Sequence, residues 1–298
     1  MRDIARECHV SVATVSYVLN HSDKEKISHD TFLRVTETAT RLHYVPSPFY
    51  ATHVGRKSNL VGIVVNLKAE NAPGKELCYF DLAARLSDRL RPLGFETLLL
   101  PTRDIKADAP LIGKRKLDAV FMIDVDNEAA RTALRDCFVP ILFLCGDMDD
   151  ELFCKIYPDY PELFRRARAL LGAGEPFLVM EDICSGNLKA EIVRWFPERN
   201  VFFNAPGGDL HGFLSRHVGG KGIVLGDALA LQTARWFDHG NFAAVLSLDG
   251  TGELLPDVKK LFVRNSRIAE CAVQTLTSML GFAYSAENRN RILLSCEE

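Results

Sequence analysis

Residues 10–20 read V-S-V-A-T-V-S-Y-V-L-N, and this string leaves the start of the chain few ways to fold. Ser11 is a good N-cap, because its hydroxyl can accept from the free N–H groups of the next turn. Val15, Val18 and Leu19 then recur at helical spacing and face inward, leaving Val12, Ala13, Ser16 and Tyr17 outward. Residues 1–8 set apolar Ile4 and Ala5 between charged Arg2, Asp3, Arg6 and Glu7, the pattern of a short amphipathic helix, with His9 and Val10 as the turn. Ser28 caps a third helix whose expected buried stripe is Phe32, Val35, Ala39 and Leu42, and Pro46 halts any helix running past Tyr44.

Three short helices around a tight turn form the helix-turn-helix arrangement, whose second helix enters the DNA major groove. Residues 3–20, D-I-A-R-E-C-H-V-S-V-A-T-V-S-Y-V-L-N, together with Ile27-Ser28, Thr31 and L-H-Y-V-P at 42–46, resemble the headpiece of the lactose-repressor (LacI/GalR) family. The resemblance implies that Val12, Ala13 and Tyr17 contact bases, and that Thr14, Ser16, Asn20, Ser28 and Thr31 hold phosphates. Val12 and Ala13 can touch a thymine methyl but cannot form the bidentate bonds that read guanine or adenine. Tyr17 stands where the family usually carries an arginine. Ser28 could equally serve only as a cap, and Asn20 only as a helix end.

Residues 47–58 form the hinge segment. In the family this stretch wedges an apolar side chain into the minor groove, which kinks the duplex. Here His53 replaces the usual wedge leucine, with Val54 as its apolar neighbour, while Pro48, Phe49 and Tyr50 depart from the small or polar residues expected. The alternative is a plain tether, with Arg56 and Lys57 touching phosphate.

From residue 59 the pattern becomes alternating strands and helices. Residues 60–66, L-V-G-I-V-V-N, are a β-branched run, as in a strand buried on both faces. A helix is expected over 80–93, a strand over 95–100, a polar helix near 104–116, and strands over 119–123 and 140–145. After a lobe crossover near 155–160 come helix 161–172, strand 177–180, helix 187–196, strands 201–203 and 223–225, helix 227–238 and strand 243–248. This alternation implies parallel sheets with helices on both faces. The expected fold is therefore an all-α helix-turn-helix headpiece (1–46), then an α/β two-lobed, periplasmic-binding-protein-like body (59–298) for effector binding and dimerisation.

A ligand in such a body sits between lobes, outside the carboxyl ends of the strands. By resemblance, Asp249, Asp159 and Asp227 are the effector-binding candidates. Plainer readings exist: Asp249 as a solvated turn residue, and Asp227 as a carboxylate stabilised at a helix N-terminus. The family's ligand asparagine is Gly226 here, and its second-lobe arginine has no clear counterpart, Lys189 and Arg194 being nearest. C-S-G at 184–186 and A-P-G-G-D at 205–209 read as turns rather than anion loops.

Charge adds little. Residues 1–60 carry eight Lys and Arg against six Asp and Glu, while the whole chain has a net charge of −3. DNA affinity should still be salt-sensitive, since phosphate contacts release counterions. The eight cysteines form no C-x-x-C pair and are expected to be reduced thiols; no metal or cofactor is expected. The start is charged rather than apolar and no run reaches membrane length, which places the protein in the cytoplasm. Nothing resembles a nucleophile–base pairing or a phosphate loop, so no enzymatic activity is expected.

The expected function is a sequence-specific transcriptional regulator, a repressor. A homodimer would bind a pseudo-palindromic operator on double-stranded DNA, under control of a small-molecule effector, a sugar or another metabolite. The alternative keeps DNA binding but leaves the body to dimerisation or protein contact.

Overall fold

The computed structural model describes residues 2–19, 27–42, 58–68, 72–113, 115, 117–125, 130, 139–147, 153–280 and 290–298. The headpiece consists of α1 (Arg2–Glu7), α2 (Val12–Leu19) and α3 (His29–Arg41). Ile4, Ala5, Cys8, Val15, Val18, Leu19, Phe32, Val35 and Ala39 close on one another as its core. Leu42, expected in that stripe, lies past the end of α3 and is 39% exposed, because the helix ends one residue before it. His9 makes the turn after α1 at φ 52°.

The body holds two all-parallel sheets. In the first lobe β1 (Leu60–Asn66), β2 (Glu96–Thr102), β3 (Ala119–Ile123), β4 (Ile141–Leu144), β5 (Cys154–Pro158) and β11 (Arg291–Leu294) lie in the order β11-β5-β4-β3-β1-β2. Its helices include α4 (Pro73–Leu90) and α5 (Ile105–Gly113). In the second lobe β6 (Phe177–Glu181), β7 (Val201–Asn204), β8 (Gly222–Leu225), β9 (Phe242–Leu246) and β10 (Lys259–Phe262) lie in the order β10-β9-β8-β6-β7. Helices α6 (Tyr160–Leu171), α7 (Gly186–Val193), α8 (Leu210–Ser215) and α9 (Asp227–Thr233) belong to this lobe. The last of the described helices, α10 (Asn265–Leu280), returns to the first lobe and packs along α4, β4 and β5.

The central strands β1, β3 and β4 are buried almost throughout, as parallel strands covered on both faces require. The chain passes between lobes after β5, again between β10 and α10, and a third time after β11, where Glu297 pairs antiparallel with Phe262. A single crossover near 155–160 is thus only the first of these passages. β5, β10, α8, α10 and β11 were not expected from the sequence. The helix expected from residue 80 begins at Pro73 instead, since proline is well placed in a first helical turn.

The chain enters the first lobe through Ser58 and Asn59, whose N–H groups donate to the Asp118 carboxylate at 3.2 and 2.9 Å. The headpiece rests on the same lobe. His29 of α3 is buried, its Nδ1 is 2.8 Å from the Val139 carbonyl, and its ring stacks on Phe153 with centroids 4.6 Å apart. Among the described residues no helix is long and apolar enough to cross a membrane.

Candidate functional site: a helix-turn-helix surface and an interlobe cleft

On the headpiece, the Ser11 hydroxyl accepts from Thr14 N–H at 2.9 Å and so fixes the start of α2. The first turn beyond that cap carries Val12, 44% exposed, and exposed Ala13, with Tyr17 half-buried one turn on. Thr14 Oγ1 is tied to Ser11 Oγ at 2.9 Å. Ser28 caps α3, accepting from Thr31 N–H at 3.3 Å and donating to Thr31 Oγ1 at 3.0 Å. Two caps thus present the starts of neighbouring helices, whose free N–H groups and dipoles favour an anionic partner. The Ser16 side chain, Asn20, His53, Val54 and the hinge before Ser58 lie outside the described residues.

In the body, the carboxyl ends of the strands from both sheets face one cleft. Gly74, Lys75, Cys78 and Tyr79 of α4, Cys145, Glu181 of β6, Gly226, Asp227 and Ala228 at the start of α9, Ser247 and Asn265 line a cavity of ≈ 130 Å³. The side chains between them are mostly apolar, including Leu163, Met180 and Ile268.

Beside this cavity protein groups bridge the lobes directly. Lys75, 5% exposed, forms an ion pair at 2.8 Å with the fully buried Asp124, which comes directly after β3 at φ 49°. Lys75 Nζ also donates across the cleft to the Asp182 carbonyl at 2.5 Å, and the Cys184 N–H donates back to Asp124 Oδ1 at 2.9 Å. Ser185 Oγ donates to the Asp147 carbonyl at 2.9 Å. The second lobe thus supplies a hydrogen bond to each partner of the buried pair, at Lys75 Nζ and at Asp124 Oδ1, while Oδ2 has the Lys75 charge beside it. At Gly74 the lobes approach so closely that an added Cβ would stand 2.3 Å from Ala228 Cβ, so glycine is required there.

Two cavity carboxyls are pushed above the ordinary carboxylate range by burial. For Glu181, Asn204 and Lys75 oppose the shift; for Asp227, the N–H groups of Ser247 and Leu248 oppose it. Burial also pushes the Cys78 thiol up to about 12 and raises that of Cys145. Protonated thiols are poor nucleophiles, so the cleft offers no activated cysteine among the described residues. Nor do the described residues group three His, Cys, Asp or Glu side chains as metal ligands.

Of the three carboxylates expected at an effector site, Asp227 is in the cavity lining. Its oxygens accept from Ser247 N–H at 3.0 Å and Leu248 N–H at 3.2 Å, which ties the start of α9 to the end of β9. Asp159 is instead the N-cap of α6, accepting from Glu162 N–H at 2.9 Å. Asp249 forms ion pairs with Arg85 of α4 at 3.1 Å and Arg264 at 3.5 Å, linking the lobes outside the cavity. Lys189 pairs with Asp182 at 2.5 Å. The strings at 184–186 and 205–209 supply helix caps: Ser185 for α7 and Asp209 for α8. Lys75, Asp124, Glu181 and Asn265 were not anticipated. Asp124 and Glu181 each sit at the carboxyl end of a strand, the signal that could have found them.

Comparison with known proteins agrees with this architecture. Residues 1–47 match the family described as bacterial regulatory proteins, lacI family. The chain is 29% identical over 176 residues to the HTH-type transcriptional regulator pepR1 of Lactobacillus delbrueckii subsp. lactis, covering 57% of this chain and 50% of that one. It is 22% identical over 174 residues to catabolite control protein A of Staphylococcus epidermidis, with the same coverages. The chain thus spans about half the length of these curated relatives. Among solved structures, the Lac repressor bound to ONPG superposes with a TM-score of 0.61 at 18% identity, covering 99% of this chain and 96% of that one. A complex of the regulator CelR with cellobiose gives 0.60 at 18% identity with the same coverages. At such identities the likeness is one of fold.

Proposed function

We propose, for a chain whose first 47 residues match the lacI family of bacterial regulatory proteins, that it is a sequence-specific transcriptional regulator, a repressor, whose DNA affinity is set by a small molecule held between the lobes of its body. The observation that carries this reading is the joining of a capped helix-turn-helix headpiece to a two-lobed body with a cavity at the lobe boundary. A ligand that prefers one lobe arrangement shifts the population of that arrangement, and with it the placement of the headpieces. The relatives are regulators by name, which supports binding rather than catalysis. The protein would act in the cytoplasm.

A homodimer would place two headpieces on a pseudo-palindrome, with half-sites spaced by the helical repeat of DNA. Leu77, 58% exposed, and Phe80 of α4, together with Leu99 on edge strand β2, supply an apolar face of the first lobe for that association.

Direct readout by this headpiece is modest, because Val12 and Ala13 lack hydrogen-bonding side chains. Tyr17→Ala should therefore relax preference at one base pair by about 1 kcal/mol, while leaving affinity for unrelated DNA and its salt dependence unchanged. Competition binding with single-substituted operators reads this, and an unchanged preference at every position would remove Tyr17 from the reading surface.

A second reading, in which the body serves dimerisation or protein contact without a ligand, is favoured by one observation. Lys75, Asp124, Asp182 and Cys184 bridge the lobes using protein groups alone. A ligand-dependent change in operator affinity separates the two readings.

A further inference from the structure

We propose that the cleft takes a compact, mostly apolar amine, anchored by an ion pair to the Glu181 carboxylate. The proposal rests on the reading of the cleft as an effector site and names the chemical class of the effector.

Size is the first constraint. A cavity of ≈ 130 Å³ is close to the one of about 150 Å³ that holds benzene in an engineered protein, so about one six-membered ring fits. The lining is the second. Leu163, Met180, Ile183, Leu225, Val263 and Ile268 surround the space, and they match a hydrocarbon body better than a polyol, whose buried hydroxyls would each need a partner.

The available polar atoms are the third constraint. Lys75 Nζ is held by Asp124 and the Asp182 carbonyl. Asn265 Nδ2 donates to the Cys78 carbonyl at 2.8 Å and to Asp81 at 3.0 Å. Both oxygens of Asp227 accept backbone N–H groups. Glu181 differs. Its Oε2 accepts from Asn204 Nδ2 at 2.9 Å, while Oε1 accepts no hydrogen bond from the described residues. Gly226 lies beside it with no side chain to fill the space, its missing Cβ 3.7 Å from Glu181 Cγ, and Gly74 flanks the other side.

With Lys75 neutralised by Asp124, the remaining charge facing the cavity is negative. An anion such as a sugar phosphate would meet like charge. An ammonium group instead gives Glu181 Oε1 a donor, and the ring of Tyr160 in the same lining adds the attraction of an aromatic group for a cation, the Tyr79 ring already facing Lys75 Nζ at 5.5 Å.

The test is titration calorimetry of the full chain with four probes: cyclohexylamine, cyclohexanol, glucose and fructose 1-phosphate. Cyclohexylamine should bind at least about ten-fold tighter than cyclohexanol, an advantage worth one decade in Kd. Glu181→Gln should abolish that advantage and leave the alcohol unaffected, while Glu181→Asp, which keeps the charge, should retain part of it. Thermal melts of both variants check that the body is folded. Equal binding of amine and alcohol, or an advantage that survives Glu181→Gln, overturns the proposal. If glucose or fructose 1-phosphate binds tightest and shifts operator affinity, the amine proposal fails and the effector reading stands. If no probe binds a chain that still binds DNA, the amine proposal fails, and operator affinity measured with a wider set of metabolites then decides the effector reading.

Discussion

Lys75→Met should lower the unfolding free energy of the body by about 3–5 kcal/mol, because it leaves the Asp124 carboxylate buried without its counter-ion. The pair is 2.8 Å apart, with exposures of 5% and 0%, so water cannot take over the role of the missing ammonium. Methionine keeps most of the length and flexibility of lysine, which limits any packing loss. A loss of this size is a large fraction of the roughly 5–15 kcal/mol that holds a typical domain. Removing both charges as Lys75→Met with Asp124→Asn should recover much of it, since asparagine carries no charge, keeps an oxygen for the Cys184 N–H and tolerates the φ of 49° at this position. Urea unfolding reads the effect as a shifted midpoint with an unchanged slope. A shift of less than about 1 kcal/mol for the single variant would mean that the pair is solvated and does not hold the lobes together.

The second large effect is steric. Gly74→Ala places a methyl 2.3 Å from the Ala228 Cβ, where two carbons need about 3.5–4.0 Å. The first turn of α4 and the first turn of α9 must then separate by roughly 1 Å or more to relieve the overlap. Lys75 is the next residue along α4, so its bond to the Asp182 carbonyl stretches with them. The expected outcome is an opened cleft. Hydrogen exchange at the Cys184 amide, which donates across the boundary to Asp124, should speed up by at least about ten-fold. Adding Ala228→Gly removes the opposing methyl and should restore protection, less about 1 kcal/mol for glycine in a helix. Unchanged exchange in Gly74→Ala would show that the lobes do not meet at this point.

Neither contact can be read from local sequence, whereas several elements can. Apolar runs bounded by turns gave β1 and β3 to the residue, because a strand buried on both faces is mostly apolar. The capped, periodic α2 was equally plain, with Ser11 in place and Val15, Val18 and Leu19 buried. β5 was hidden by Lys155, a charged residue 2% exposed within C-K-I-Y-P, and β10 by the paired lysines of K-K-L-F. α10 did carry a readable stripe in Ile268, Ala272, Leu276 and Met279, and its return to the first lobe is a tertiary choice that no local pattern encodes.

The cleft was legible only in part. Asp227 reached the cavity because a turn after a strand puts it there. Asp249 also comes after a strand, yet Arg85 and Arg264, distant in sequence, draw it into ion pairs outside the cavity. Lys75 and Asp124 come together from α4 and the end of β3, a pairing that depends on sheet order rather than on either local sequence. The proposed base-reading surface behaves differently, since Val12, Ala13 and Tyr17 are placed by one helix and its cap.

The central claim is that this headpiece reads duplex DNA as part of a dimer. Selection of bound sequences from a random duplex pool, using the full chain at fixed moderate salt, tests it most directly. The account predicts enrichment of a pseudo-palindrome whose half-sites are spaced by the helical repeat of DNA, with weak preference wherever Val12 and Ala13 face the bases. A pool that stays random after repeated rounds, or one that enriches only an unpaired half-site, would contradict it.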